Sequence, residues 1–290
     1  MKNKNFQVLI IGGGPAGVSA ALYLARAGQN VCIVENEAGA LARAHKIENY
    51  YGIITTGSEL YSKGLEQARA LGVSIIKNEV LSVDYAGSFT VTCKSLPEAL
   101  EAPALILATG TKNITLQLPG LAQLEGHGVS YCAVCDGFFF RKKRVAVLGN
   151  GAYALHEAEY LRHLAASVVI LTNGARGELA KAAGYDVITT PLKAVDGQKQ
   201  LQSVLFEDDS SLGIDGLFIA LGTADSTDIA RKLGAELNGR FIRINTDGAT
   251  NIPGLFAAGD CTGGLLQVAK AVYEGARAGL SAVQFLRQHK

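Results

Sequence analysis

Apolar residues arrive along this chain in short, unbroken runs separated by glycine-rich turns, the pattern of strands buried on both faces. Gln7–Ile11 is the first such run, and Gly12-Gly13-Gly14-Pro15-Ala16-Gly17 follows it. Val18–Ala27 reads as a helix that is apolar around much of its surface, as suits one lying on a sheet, and Gly28 ends it. Val31-Cys32-Ile33-Val34-Glu35 predicts the next parallel strand. The layout then returns. Val145–Leu148 predicts a strand, Gly149-Asn150-Gly151-Ala152-Tyr153-Ala154 a turn, the stretch to about Leu164 a helix, and Val168–Leu171 another strand. From Gly12 to Gly149 the displacement is 137 residues, and it carries Gly14 and Gly17 onto Gly151 and Ala154.

The expected architecture is α/β: two Rossmann-like, three-layer nucleotide-binding domains, with the second inserted in the first. If Leu255-Phe256-Ala257-Ala258-Gly259-Asp260 returns to the first sheet, the first domain spans residues 1–115 and 246–290 and the inserted one 116–245. The junctions then fall near Lys112–Leu118 and Asn245–Ala249.

Composition narrows the picture. A length of 290 residues suits two domains, and 48% hydrophobic residues suffice for two cores. Twenty-seven basic against 26 acidic residues leave a formal charge of +1, which gives no signal for nucleic acid or a membrane surface. No apolar run reaches the roughly 18 residues of a membrane span. Met1–Phe6 leads directly into the first strand without the apolar core of a secretory signal, so the five cysteines are expected in a reducing cytoplasm.

The first glycine turn has the full context of a dinucleotide site: a strand before it, a helix after it, and Glu35 18 residues beyond Gly17. Gly12 permits the tight turn, Gly14 lets backbone approach a pyrophosphate, and Gly17 allows close helix–sheet packing. The helix N-terminus favours phosphate charge, and Glu35 can accept hydrogen bonds from a ribose diol.

Ser130-Tyr131-Cys132-Ala133-Val134-Cys135-Asp136-Gly137 is the other chemical feature. A zinc site needs four ligands, typically two such pairs, whereas Cys32, Cys93 and Cys261 are isolated and the five histidines scattered. No metal is therefore expected. An inert buried pair is a second reading. A redox dithiol is the favoured one, since the two-residue spacer brings the sulfurs within bonding reach and Asp136 can handle the proton. Cys32 and Cys93 lie in strands as small apolar residues; Cys261 follows Asp260 without a partner cysteine.

With these motifs and Ile47–Gly52, Leu107–Gly110 and Gly254–Asp260, the sequence resembles the low-molecular-weight thioredoxin reductase family over nearly its whole length. The resemblance implies FAD in the first domain, held by Gly12, Gly14, Pro15, Ala16, Gly17, Glu35, Asn49, Ala108, Thr109, Gly110, Gly259, Asp260, Gln267 and Val268. It implies that Cys135 faces the flavin, that Cys132 attacks the partner disulfide, and that Phe138 and Phe139 help dock a thioredoxin-like protein. It further implies a homodimer and two alternating domain orientations. The family's Arg-Gln-Ala is Leu266-Gln267-Val268 here, a departure.

The repeat also tests the second site. Glu35 falls on Thr172, where an NAD site would favour an acid and an NADP site nearby arginines. Instead of the family's His-Arg-Arg the chain has Thr172-Asn173-Gly174, with Arg176 nearby. Tyr153 is expected to crowd the pyrophosphate path, and Gly177–Pro191 reads as trimmed. The resemblance then narrows to the ferredoxin-linked flavin thioredoxin reductases, which implies reduced ferredoxin or flavodoxin as electron donor. Those acidic donors would want a basic surface, and Arg141-Lys142-Lys143-Arg144 is the densest basic run, although a solvated turn would also carry it. The alternatives are an NAD(P)H-linked reductase with an atypical site, or a flavin-bound redox sensor.

Overall fold

A computed structural model describes residues 6–110, 116–176, 178–222 and 225–289. They form two compact units, one from 6–110 with 225–289 and one from 116–222. The chain builds β1 (Val8–Ile11), α1 (Pro15–Arg26), β2 (Val31–Glu35), α2 (Gly57–Ala70), β3 (Ser74–Lys77) and β4 (Ala104–Leu107) of the first unit. In the second it makes β5 (Val129–Ser130), α3 (Ala133–Asp136), β6 (Arg144–Leu148), α4 (Ala152–Arg162), β7 (Ser167–Leu171), β8 (Asp186–Ile188) and β9 (Gly216–Ile219). It then returns with α5 (Ser226–Lys232), β10 (Leu255–Ala257) and α6 (Val268–Gln288).

Each unit centres on a five-stranded parallel sheet, in the order β10-β4-β1-β2-β3 in the first and β5-β9-β6-β7-β8 in the second. The continuous apolar runs are explained by burial on both sides. In the first unit Val8, Ile10, Ile33 and Ile106 pack with α1 and α6, while Leu9, Cys32 and Leu105, on the opposite face, are equally inaccessible. Each fully buried Leu or Ile contributes about 1.5–3 kcal/mol. A three-stranded antiparallel sheet accompanies each parallel one: Val80–Tyr85, Phe89–Cys93 and Leu100–Ala102 in the first unit, Leu192–Asp196, Ser203–Phe206 and Ser211–Gly213 in the second. Helices α1 and α6 cross at backbone distance because Gly275 and Gly279 face Ala16 and Ala20. A Cβ at Gly275 would lie 2.1 Å from the Ala16 carbonyl oxygen, and one at Gly279 2.7 Å from that of Ala20.

The tail returns as expected, with Leu255, Phe256 and Ala257 beside Leu105, Ile106 and Leu107. The second junction needs correction. It lies between 222 and 225 rather than near Asn245–Ala249, so residues 225–245 belong with the first unit instead of the inserted one. The cause is local: Ser226, fully buried at the start of α5, exchanges hydrogen bonds with Thr109 after β4. Residues 112–115 of the first junction and Gly177 of the trimmed stretch lie outside the described residues.

Candidate functional site

In the first unit the β1–α1 turn is shaped by contacts that exclude a side chain. Gly12 has φ +112°, and a Cβ there would lie 2.3 Å from the Ala108 carbonyl oxygen. A Cβ at Gly17 would lie 1.9 Å from the Gly12 carbonyl oxygen. Gly14 differs, because a Cβ on it would meet nothing within 4 Å. Gly12 and Gly17 therefore serve packing, and Gly14 leaves an open cradle. Gly14 is also the N-cap of α1, with Pro15 beginning the helix and no side chain capping it. The first-turn N–H groups and the positive end of the helix dipole are thus available to an anion beside open space. Those features fit a dinucleotide pyrophosphate.

Glu35 ends β2, buried, with the Tyr61 hydroxyl donating to its Oε2. Burial, and then the hydrogen bond to that carboxylate, push the Tyr61 phenol above its ordinary range, so it stays a donor. Oε1 of Glu35 is the acceptor suited to a ribose hydroxyl. Tyr61 carries no pattern in the sequence that ties it to this site.

A second group of expected residues gathers around the start of α6. Gly259, at φ +88°, is where a Cβ would come within 2.9 Å of the Ala16 Cβ, bringing Asp260 close to the first turn of α1. Burial raises the Asp260 carboxyl above its usual range, against an opposing pull from Lys270. Lys270 donates to the Gly259 carbonyl at 2.7 Å and the Thr262 hydroxyl at 2.7 Å, and pairs with Glu274 at 2.9 Å. Glu274 accepts from the Gly259 N–H at 2.8 Å. This network was not anticipated, although the i, i+4 spacing of Lys270 and Glu274 just after Gly259-Asp260 was a usable signal. A cation in the first turn of a helix is unfavourable by itself, and Glu274 offsets it. Gln267 caps α6 from an extended conformation and accepts from the Asn49 side chain at 2.8 Å, ahead of Val268. Thr109 is held by Ser226, and Gly110 takes φ +73°.

In the second unit Cys132 and Cys135 form a disulfide, with Cα atoms 5.3 Å apart. Cys132 is the extended N-cap of α3, and its sulfur accepts the Cys135 N–H at 3.1 Å. Cys132 is only 1% exposed, whereas Cys135 is exposed. The Ser130 hydroxyl donates to Asp136 Oδ2 at 2.6 Å and accepts from the Cys132 N–H at 3.1 Å, which ties the carboxylate to the disulfide turn. Cys32, Cys93 and Cys261 are buried and outside any disulfide; burial lifts the Cys93 thiol to about 11 and the Cys261 thiol to about 12. Among the described residues no cluster of His, Cys, Asp and Glu suits a metal ion.

The second glycine turn keeps the packing role. A Cβ at Gly149 would lie 2.2 Å from the Ala220 carbonyl oxygen, matching Gly12 against Ala108. Thr172, at the position of Glu35, is buried and donates its hydroxyl to the Ala175 carbonyl. Tyr153 is fully buried. Its ring is therefore part of the packed interior at the start of α4.

Comparison with known proteins agrees with these features. The pyridine nucleotide-disulphide oxidoreductase family matches over residues 6–275. A thioredoxin reductase of Listeria monocytogenes is 33% identical over 309 aligned positions, covering all of this chain and 96% of the relative. The crystal structure of the atypical thioredoxin reductase TRi from Desulfovibrio vulgaris Hildenborough superposes with a TM-score of 0.92 at 40% identity, covering 98% and 99% of the two chains. A ferredoxin-flavin thioredoxin reductase from Clostridium acetobutylicum gives a TM-score of 0.73 at 29% identity, covering 98% and 99%. The family match over residues 6–275, the Listeria relative and the Cys132–Cys135 disulfide place the chain in the FAD-binding pyridine nucleotide-disulphide oxidoreductase family, as a disulfide oxidoreductase of the thioredoxin reductase type.

Proposed function

We propose that this protein reduces thioredoxin-like disulfides through Cys132 and Cys135, with electrons from reduced ferredoxin or flavodoxin. The observation that carries the donor assignment is Thr172. Where the first unit offers the Glu35 carboxylate, the second offers a buried hydroxyl already committed to a backbone carbonyl. Neither ribose recognition by an acid nor 2′-phosphate recognition by clustered arginine is available there.

FAD, when bound in the first unit, supplies the ability to collect electrons singly and pass them on as a pair. Gly14 and the α1 N-terminus would take its pyrophosphate, Glu35 a ribose, and Asp260 with the Asn49–Gln267 pair the region at the start of α6. The remaining chemistry belongs to the protein. In the reduced pair, the Cys132 thiolate attacks one sulfur of the partner disulfide; the partner S–S bond breaks and a mixed disulfide forms. Cys135 then attacks Cys132 Sγ, which restores the Cys132–Cys135 disulfide and releases the partner as a dithiol. Two electrons and two protons pass to the partner, with Asp136 as the carboxylate suited to proton exchange. Since Cys132 is 1% exposed in the oxidised pair, a step that uncovers its sulfur precedes attack.

Phe138 and Phe139 are 64% and 69% exposed, and the Arg141 guanidinium stacks over Phe138 at 5.6 Å. An exposed aromatic pair beside the run Arg141–Arg144 suits docking of protein partners with acidic rims. Leu265, Tyr273 and Leu280, at 67%, 59% and 47% exposure, support the α6 side as the surface for a homodimer. No helix among the described residues is long and apolar enough to cross a membrane.

A second reading, an NAD(P)H-linked reductase, keeps one supporting observation: α4 begins at Gly151 with no side-chain cap, as α1 does at Gly14. Anaerobic addition of NADPH, NADH or reduced ferredoxin to the FAD-loaded protein separates the readings. Flavin bleaching by ferredoxin alone is expected, and rapid bleaching by NADPH would transfer the assignment to the second.

A further inference from the structure

Helix α4 of the second unit carries a carboxylate that the reaction above does not use. Glu157 is 2% exposed, and its Oε2 accepts the Ala133 N–H at 2.9 Å. Ala133 is the first residue of α3 and follows the buried Cys132 directly. The carboxylate is therefore one peptide unit from the sulfur whose ionisation governs thiol–disulfide exchange. The N-terminus of α3 pulls the other way: Cys132 Sγ accepts the Cys135 N–H, an arrangement that favours thiolate. His156 bears on the carboxylate, with Nδ1 3.7 Å from Glu157 Oε1, and α3, which packs against α4, also carries Cys135 and Asp136. The strands beneath α4 carry apolar residues apart from Arg144 and Ser167 at their ends.

We propose that Glu157 is a positioning residue of the redox centre, which fixes the start of the disulfide helix and, in its ionised form, holds back ionisation of the Cys132 thiol. Its carboxylate opposes the positive end of α3, so the thiolate is less stable, and the disulfide less oxidising, than the helix alone would make it. The inference rests on Cys132 and Cys135 being the redox pair. Wild-type cycling of that disulfide in dithiol buffers checks this premise separately, without any physiological donor.

The test is the redox equilibrium of the Cys132–Cys135 pair in FAD-loaded wild type, Glu157→Gln and Glu157→Asp, together with the pH profile of thiol alkylation after reduction. Glutamine keeps an oxygen to accept the Ala133 N–H and removes the charge. It is expected to shift the equilibrium towards dithiol about tenfold, equivalent to about 30 mV for this two-electron couple, and to move the alkylation profile to lower pH. Aspartate draws the charge back by one methylene and is expected to shift both readouts in the same direction by less. It decides the matter alone if the glutamine variant does not fold. A purely structural role would lower stability in both variants and leave potential and pH profile where they were. Unchanged readouts, or a shift towards disulfide, would overturn the proposal.

Discussion

The two glycine turns of this protein follow the same strand, lead into the same kind of helix, and pack against the same kind of neighbouring strand end. Gly12 and Gly149 are each held against a backbone carbonyl, at 2.3 and 2.2 Å for the missing Cβ, so both are required by the fold whatever is bound. What differs lies one layer out. Beyond Gly14 is open space, and the acid at the strand end remains buried with a tyrosine holding one of its oxygens. Beyond Gly151 a Cβ would meet the Gly222 carbonyl at 3.4 Å, and the strand end carries a threonine satisfied by its own loop. Glycines in a nucleotide-type turn thus testify to the fold, and the groups around them to the ligand.

The largest effect is expected outside this comparison, at the disulfide of the second unit. Cys132→Ser and Cys135→Ser should each reduce disulfide turnover to background while FAD absorbance is retained, because Cys32, Cys93 and Cys261 are buried. Within the comparison, Gly17→Ala drives a methyl to 1.9 Å from the Gly12 carbonyl oxygen. It should cost about 3 kcal/mol or more in denaturant unfolding and release FAD. Gly14→Ala has room within the protein. Apo stability should change by less than about 0.5 kcal/mol, while FAD affinity falls about tenfold, read by fluorescence titration of the apoprotein. Gly151→Ala should leave both FAD affinity and ferredoxin-driven turnover unaltered, and its loss of turnover would break the asymmetry. The smallest change expected to be measurable concerns pH. Burial raises the Asp260 carboxyl in the apoprotein, so its stability contribution is complete below the unfolded carboxyl value of about 3.9 and is lost as pH rises through the raised folded value. With the side chain half-buried, the change should stay below about 1 kcal/mol. Asp260→Asn should flatten that part of an apoprotein stability profile.

Much of this is legible in the sequence. The paired strand–turn–helix repeats were visible because strands buried on both faces must be apolar throughout, and Val31–Glu35 and Leu255–Ala257 lie where the pattern put them. The cysteine pair was readable from spacing alone. The second junction was not, because what ties residues 225–245 to the first unit is a reciprocal hydrogen bond between Ser226 and Thr109, residues far apart in the chain. Tyr61 and Glu157 are hidden for the same reason: Tyr61 holds Glu35 from 26 positions away, and Glu157 accepts the N–H of Ala133, next to Cys132, from 24 positions away. Tyr153 stands out in the sequence as a large residue beside a turn, while its complete burial is visible only in the fold.

The claim that one repeat keeps its nucleotide and the other has lost it can be measured directly, by calorimetric titration of the FAD-loaded protein with NADPH and with NADH. The account predicts no saturable binding of either up to about 1 mM, the upper end of ordinary enzyme affinities for substrate. Binding of one NADPH or NADH per chain in the micromolar range would contradict it.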